Sequence, residues 1–364
     1  MKDFCIVAGA RRRHGGGREK GRRTRLDDIA ARCGVSISTV SRALAGEKGV
    51  RPEIRKLVLE TASAVSYALP ASVAGKKVML VASGAAMIDY VRNQFTVYVL
   101  EGLNARAAAL GIELAMRPVA DKGDEARVVA EMRDDPSFGG MLILTVDEEE
   151  MLAAAADLGK PVVLVNSDDP YMRLSSVTPC NRSAAFIAAE RLIKAGHERI
   201  LFMLRPGRRT IERRLEGWRD ALQHHGLTAD ADLVLEVDDW LPELGAEAIT
   251  RLIREKGLSF TAILTAGDSL ANGAVRGLQA MGYAVPQDIS VMGIDDLPQS
   301  AFLNPPLSTV HIPMRELGAT ALDLLRDMML GLAAPRRRVE LACHLVERGS
   351  VAAVRRVPAV TEDG

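Results

Sequence analysis

TRLDDIAARCGVSISTVSRALA, residues 24–45, decides how the rest of the 364-residue chain is read. Leu26, Ile29 and Ala30 stand at i, i+3 and i+4, so they share one face of a helix predicted over residues 26–32. Val40, Ala43 and Leu44 form a similar face on a second helix, predicted over residues 38–44. Gly34 falls in the turn between them, where a positive φ costs glycine little. Ser36 can cap the second helix, because its hydroxyl can accept an N–H that the first turn leaves unpaired. The outer face of that helix offers Ser38, Thr39, Ser41 and Arg42, side chains suited to base edges and phosphates. The stretch therefore reads as a helix-turn-helix, and its predicted partner is double-stranded DNA.

Working outward, residues 1–23 are rich in Gly and Arg (RRRHGGGREKGRR) and have almost nothing apolar to bury. They are predicted to be a disordered basic extension, either adding non-specific phosphate contacts or serving no role. Downstream, GEKG at 46–49 is a loop, and Pro52 opens a third helix at a position where its missing N–H costs nothing. Ile54, Leu57, Val58, Thr61, Ala62 and Val65 give that helix an apolar face, to about residue 66. Residues 24–67 thus form a small all-α head, and residues 68–77 a short linker.

From residue 78 the pattern changes. Strand-length apolar runs at 78–83, 112–118, 140–145 and 161–166 alternate with helical stretches near 94–110, 123–133 and 147–158. A second series has strands at 199–204, 232–237, 261–265 and 289–294, with helices near 182–195, 210–225, 242–256 and 268–281. Continuous apolar strands between amphipathic helices predict parallel sheets covered on both faces. Two series predict two doubly wound subdomains whose strand ends face a shared cleft, the usual ligand position in such folds. A helix near 313–331 and a strand near 339–347 close an α/β body spanning residues 78–350, and residues 351–364 are a short polar tail.

The zero net charge hides a segregation. Residues 1–77 carry 17 Lys and Arg against 7 Asp and Glu, a net +10, and the remainder carries 30 against 40, a net −10. A basic head on an acidic body suits a polyanionic partner for the head alone. Cys5, Cys33, Cys180 and Cys343 lack metal-ligand spacing, which argues against a zinc site and a disulfide framework and for a reducing compartment. Arg11, Arg12 and Arg13 are not followed by an apolar core, so no secretory signal is predicted, and no apolar run reaches membrane-spanning length. GxGxxG, P-loop and GxSxG motifs are absent, and the six histidines show no triad spacing, so no catalytic residue, metal or cofactor is expected.

Together these features resemble the LacI/GalR family of bacterial transcriptional regulators over residues 24–350. The resemblance is carried in order by DDIAARCGVSISTVSRAL, LIKAGHERI with Gly196 and His197, RRLEGW, GDSLANGA, ISVMGIDD, PPLSTV and LVERGS. It implies a periplasmic-binding-protein-like body, a cytoplasmic, nucleoid-associated homodimer on a pseudo-palindromic operator, and a small-molecule effector, most often a sugar. A solute-binding protein shares the two-lobed fold, but the basic head and the lack of a signal peptide oppose that alternative.

The resemblance also assigns residues. Ile37 and Ser38 fall where family members choose operator bases, Arg42 where a base or phosphate is held, and Thr24, Ser36, Thr39 and Ser41 complete the expected DNA-binding set. An apolar Ile37 can touch a thymine methyl. In the body, Arg214 matches the arginine that grips ligand hydroxyls or carboxylates, whereas Arg213 reads as a surface charge. Asp268 matches the ligand-binding acid, although Gly267 replaces the usual Asn before it. Phe95 resembles the aromatic lining the first lobe, and Trp240 either stacks on a pyranose or belongs to the core. Asn181 resembles half of an Asp-Asn pair whose acid has become Cys180, and Asp168 is a further candidate. Asp295 and Asp296 are loop-fixing residues in this family, with Asp295 kept as an effector-binding candidate. The linker departs most: Pro70 is followed by only four residues, Ala71 to Ala74, before Gly75, too few for a stable hinge helix and without a leucine wedge. Val73 is the nearest substitute, and weaker bending of the operator is expected.

Overall fold

The computed structural model describes residues 26–44, 49–64, 73–84, 94–332 and 335–354, without the side chains of residues 63 and 64. The expectations for residues 1–23, Thr24, Pro70, Ala71, Ser72 and the tail beyond residue 354 lie outside the described residues. The chain divides into two units between residues 72 and 73.

In the first unit, α1 (Leu26–Cys33), α2 (Ile37–Leu44) and α3 (Pro52–Ala64) surround Ile29, Ala30, Val40, Ala43, Val58 and Ala62. These are the apolar positions that the spacing put on inner faces. Gly34 makes the turn at φ +65°, and the Val35 N–H closes it on the Ala30 carbonyl at 3.1 Å. The Thr39 N–H donates to Ser36 Oγ at 3.1 Å, so Ser36 caps α2 as its chemistry suggested.

The second unit opens earlier than the composition suggested. Val73 is buried, Lys76 N–H bonds to Val73 O at 3.0 Å, and Gly75 N–H bonds to Gly111 O at 2.8 Å. Residues 73–76 are therefore part of the first lobe, and Val73 cannot act as a wedge while its side chain fills that core. Strands β1 (Lys77–Ser83), β2 (Glu113–Val119), β3 (Phe138–Leu144), β4 (Val162–Val165) and β5 (Ser175–Pro179) form an all-parallel sheet with a later strand, β11 (Arg338–Leu341). The order is β11-β5-β4-β3-β1-β2. Side chains alternate between its faces. Met79, Val81, Met141, Ile143, Val162 and Leu164 share a core with α5 (Lys122–Asp134) and α6 (Glu149–Ala156). Leu80, Ala82, Leu142, Leu144, Val163 and Val165 pack on the other face with α4 (Gln94–Leu110) and α11 (Met314–Met329). A Cβ at Gly102 would collide with the Arg315 carbonyl, and one at Gly318 with the Val99 carbonyl, so these two glycines let α4 and α11 pack backbone to backbone.

In the second lobe β6 (Ile200–Leu204), β7 (Val234–Glu236), β8 (Ala262–Thr265) and β9 (Ser290–Met292) form a parallel sheet in the order β7-β6-β8-β9. Its helices are α7 (Asn181–Lys194), α8 (Arg209–His224), α9 (Pro242–Lys256) and α10 (Asp268–Ala280). Two strands were missed in the sequence. β5 reads SSVTP, too polar for an apolar run although every residue is buried, and β10 (Thr309–His311) is very short. The single strand expected over 339–347 is two strands. β11 pairs with β5 in the first lobe, whereas β12 (His344–Val346) runs antiparallel to β10. The chain crosses between lobes at Ala342 and Cys343, which no hydrophobic period reveals. The tail also begins later: Val291 N–H bonds to Ser350 O, and Val354 N–H to Ala195 O, which fastens residues 350–354 to the second lobe.

Candidate functional site

On the head, Ile37, Ser38, Ser41 and Arg42 are exposed along one side of α2, and Ile37 keeps 52% of its surface. Thr39 is half-buried, and its hydroxyl pairs with Ser36 Oγ at 2.8 Å, which commits both to the cap. The first turn of α2 contains no acid, so no carboxylate within it offsets the partial positive charge of the helix start. A large apolar side chain beside two hydroxyls and a guanidinium is a surface able to meet thymine methyls, base edges and phosphates.

In the body, the C-terminal ends of the strands of both lobes open on a cleft of about 550 Å³. Of the residues expected to bind an effector, Phe95, Arg214, Trp240 and Asp295 line it. Arg214 is buried on α8 and fixed from several sides. Its Nε donates to Asn181 Oδ1 at 2.9 Å, and its Nη1 donates to the Ala266 carbonyl and to Asp295 Oδ1 at 3.3 Å. Burial pushes the Asp295 carboxyl up to about 7; the Arg214 charge opposes the shift and the Asp268 charge adds to it. Only 14% of the Asp295 side chain is exposed, and that part faces the cleft.

Asp168, Asn181 and Asp268 do not line the cleft. Asn181 is buried behind it, donating from Nδ2 to Pro179 O at 3.1 Å while it orients Arg214. Asp268 is buried and both its oxygens are engaged. It accepts from the Leu297 N–H at 2.9 Å, Ser300 Oγ at 2.6 Å and Thr309 Oγ1 at 2.6 Å. Its carboxyl anchors the segment carrying Asp295, with three donors from that side of the fold directed at its two oxygens. Asp168 bridges the lobes through Arg209 Nε at 2.6 Å and also faces Arg338 at 3.4 Å. Asp296 is the loop-fixing acid. Arg348 and His311 bind it at 2.6 and 3.0 Å and hold its carboxyl below the usual range despite burial. Gly267 has a reason to lack a side chain: a Cβ there would lie 3.1 Å from the Trp240 ring and 3.2 Å from Asp295 Oδ2. A side chain there would require the indole and the carboxylate to give way by a few tenths of an ångström.

Several cleft residues escaped the sequence reading. Thr145 and Asn166 directly follow β3 and β4, line the cleft, and adopt φ of +57° and +51°. Thr145 Oγ1 and Asn166 Oδ1 are buried without a hydrogen-bond partner. A left-handed backbone and an unpaired polar atom in the same residue are costs that ligand sites accept. The signal was available: each residue directly follows an apolar run, at the strand end where such folds bind ligands. Arg208 closes the cleft on one side, donating to Asp147 Oδ2 at 3.1 Å and to the Asn166 carbonyl at 2.6 Å, and Gln299 donates to Gln94 at 2.5 Å. Among the described residues no group of three or more His, Cys, Asp or Glu is placed to hold a metal ion, and no helix is long and apolar enough to cross a membrane.

Residues 25–69 match the family model for bacterial regulatory proteins of the lacI family, and residues 189–351 match that for a periplasmic binding protein-like domain. The HTH-type transcriptional regulator MalR of Streptomyces coelicolor is 31% identical over 341 residues, covering 90% of this chain and 97% of its own. The HTH-type transcriptional repressor CytR of Escherichia coli is 28% identical, covering 90% and 96%. Among solved structures, the transcriptional regulator CelR–cellobiose complex superposes with a TM-score of 0.70 at 27% identity, covering 90% of this chain and all of that one.

Proposed function

The chain belongs to the lacI family of bacterial regulatory proteins, transcriptional regulators rather than enzymes, and on that premise we propose that it is a homodimeric repressor whose cleft takes a sugar or sugar derivative. It works in the cytoplasm on the nucleoid. α2 enters the major groove, with Ile37 and Ser38 toward bases and Ser41 and Arg42 toward bases or phosphates. In the cleft Arg214 and Asp295 hold ligand hydroxyls, while Trp240 and Phe95 supply apolar faces. Asn181 acts through Arg214. The ligand favours one arrangement of the lobes, and its differential affinity for that arrangement sets how far operator affinity changes.

The observation that carries this reading is one chain holding both a three-helix unit with an exposed Ile37–Arg42 face and a cleft into which both parallel sheets end. The relative solved with cellobiose supports a sugar as the effector class. A thermal-shift screen of mono- and disaccharides on the full chain, alongside salt-dependent binding to the DNA upstream of its own gene, tests it. A sugar should raise the melting temperature, the shift should vanish in Trp240→Ala, and the same sugar should change operator affinity. DNA affinity no better than for random sequence, or a sugar response unaltered by Trp240→Ala, would refute the proposal.

A further inference from the structure

β10 and β12 pair antiparallel, and His311 stands directly opposite His344 across the ladder. Residues paired in this way send their side chains to the same face. The two imidazole rings lie 4.8 Å apart, centre to centre, and are inclined at 37°. Both reach solvent: the His311 side chain keeps 37% of its surface, and His344 is exposed. Neither residue lines the cleft.

The surroundings fix the state of His311. Its Nδ1 lies 3.0 Å from Asp296 Oδ2, and Arg348 Nη2 donates to Asp296 Oδ1 at 2.6 Å. Asp296 stays ionised despite burial because these two partners bind it. An ionised carboxylate only accepts, so His311 Nδ1 is the N–H, and in the neutral ring Nε2 carries the lone pair. A carboxylate behind the far nitrogen is the arrangement that orients metal-binding histidines and raises their basicity. No hydrogen bond from the described residues reaches either ring nitrogen of His344.

The spacing also suits a shared ion. A metal bound roughly 2.1 Å from one nitrogen of each ring sits roughly 3.2 Å from each ring centre, and at tetrahedral or square-planar angles the centres are then roughly 4.5–5.3 Å apart. The observed 4.8 Å falls inside that range. Imidazole nitrogens select late transition metals over Mg(II) and Ca(II), which take oxygen ligands. The pair also lies where the chain passes between lobes. β12 begins directly after the crossing at Ala342 and Cys343, and β10 leads through Ile312 and Pro313 to α11, which packs on the first-lobe sheet.

We propose that His311 and His344 bind one divalent late first-row transition ion, Zn(II), Ni(II) or Cu(II), with water completing its coordination and Asp296 as the positioning residue behind His311. The ion ties together the two strands that adjoin the lobe crossings, and it is independent of what the cleft binds.

The test is calorimetric titration of the full chain with Zn(II), Ni(II) and Cu(II) chlorides in a non-chelating buffer, with Cu(II) paramagnetic resonance and melting curves alongside. One ion per chain should bind this pair, Cu(II) most tightly, with nitrogen splitting from two imidazoles in the copper spectrum. Binding should raise the melting temperature. His311→Gln and His344→Gln should each weaken this site at least tenfold and abolish the two-imidazole splitting. Asp296→Asn should weaken it about tenfold and keep the splitting; unchanged affinity would refute the positioning role. His224 and His225, with rings 5.2 Å apart on α8, are the competing pair, and His224→Gln/His225→Gln should leave the site intact. Loss of binding in that double variant, binding unmoved by both His311→Gln and His344→Gln, or no binding of any of the three ions at millimolar concentration would overturn the proposal.

Discussion

A carboxyl enclosed by protein, with a guanidinium 3.3 Å away and a second buried acid behind it, is pulled toward both protonation states, and Asp295 is in that position. Burial wins and raises it to about 7 from an ordinary 3.8. A raised acid binds its proton more tightly when folded, so its contribution to stability is complete below pH ~4 and is lost as pH rises through about 7. Chemical denaturation of the body at a series of pH values should therefore show a falling contribution between pH ~4 and ~7, by up to about 1.4 kcal/mol per unit. Asp295→Asn should flatten that slope whatever its absolute stability; an unchanged slope would mean that another group titrates. On the head, two residues of one face separate by chemistry. Ile37 carries no charge, so Ile37→Ala should weaken binding to the operator without changing its salt dependence. Arg42→Ala should lower the slope of log affinity against log salt by about one, if it neutralises a phosphate. Filter binding over a salt series distinguishes the two, and equal slopes for both variants would place Arg42 on a base edge instead.

Helix α2 must be held at its start before any of its side chains can read DNA. Ser36 supplies that hold through the 3.1 Å bond from the Thr39 N–H. Ser36→Ala should cost the head about 1 kcal/mol, seen as an earlier denaturant midpoint followed by helical signal. Ser36→Asp should restore the midpoint yet not the operator affinity, since its charge would face phosphates; equal operator affinity for Ser36→Asp and the parent would remove Ser36 from the DNA surface. Such caps, turns and periodic faces were legible in the sequence because each is fixed within a few residues. The same holds for the strands whose apolar runs are buried on both faces. What was not legible depends on partners far along the chain. SSVTP becomes a buried strand because β4 and β11 flank it. Residues 339–347 split because β11 and β12 have different partners. Asp268 looked like a ligand-binding acid because its motif gives no sign that Leu297, Ser300 and Thr309 occupy its oxygens. Of Asp268 and Asp295, it is Asp295 that lines the cleft.

At the scale of the whole body, the cleft is bounded by bonds that join one lobe to the other. Arg208 and Arg209 at the start of α8 reach Asp147, the Asn166 carbonyl and Asp168 in the first lobe, and Gln299 reaches Gln94. Asp168 raises the proton affinity of Arg209, so this pair is a genuine charge partnership of partly buried groups. These bonds favour approach of the lobes before any ligand arrives, and so lower the work an effector must do to complete closure. Arg209 and Asp168 lie off the cleft lining, which allows the lobe equilibrium to be altered without removing a ligand contact. A hydrogen-bonded charge pair of this kind contributes about 1.5–3 kcal/mol, enough to move the lobe equilibrium roughly tenfold or more. Arg209→Ala should therefore increase the ligand-free radius of gyration in solution scattering and weaken a cleft-binding sugar by about tenfold, with the ligand-bound radius unchanged. Charge reversal of both partners, Arg209→Glu with Asp168→Arg, should recover part of the lost affinity. If Arg209→Ala leaves both the radius and the sugar affinity as they were, the bond does not hold the lobes together, and closure is governed by ligand contacts alone.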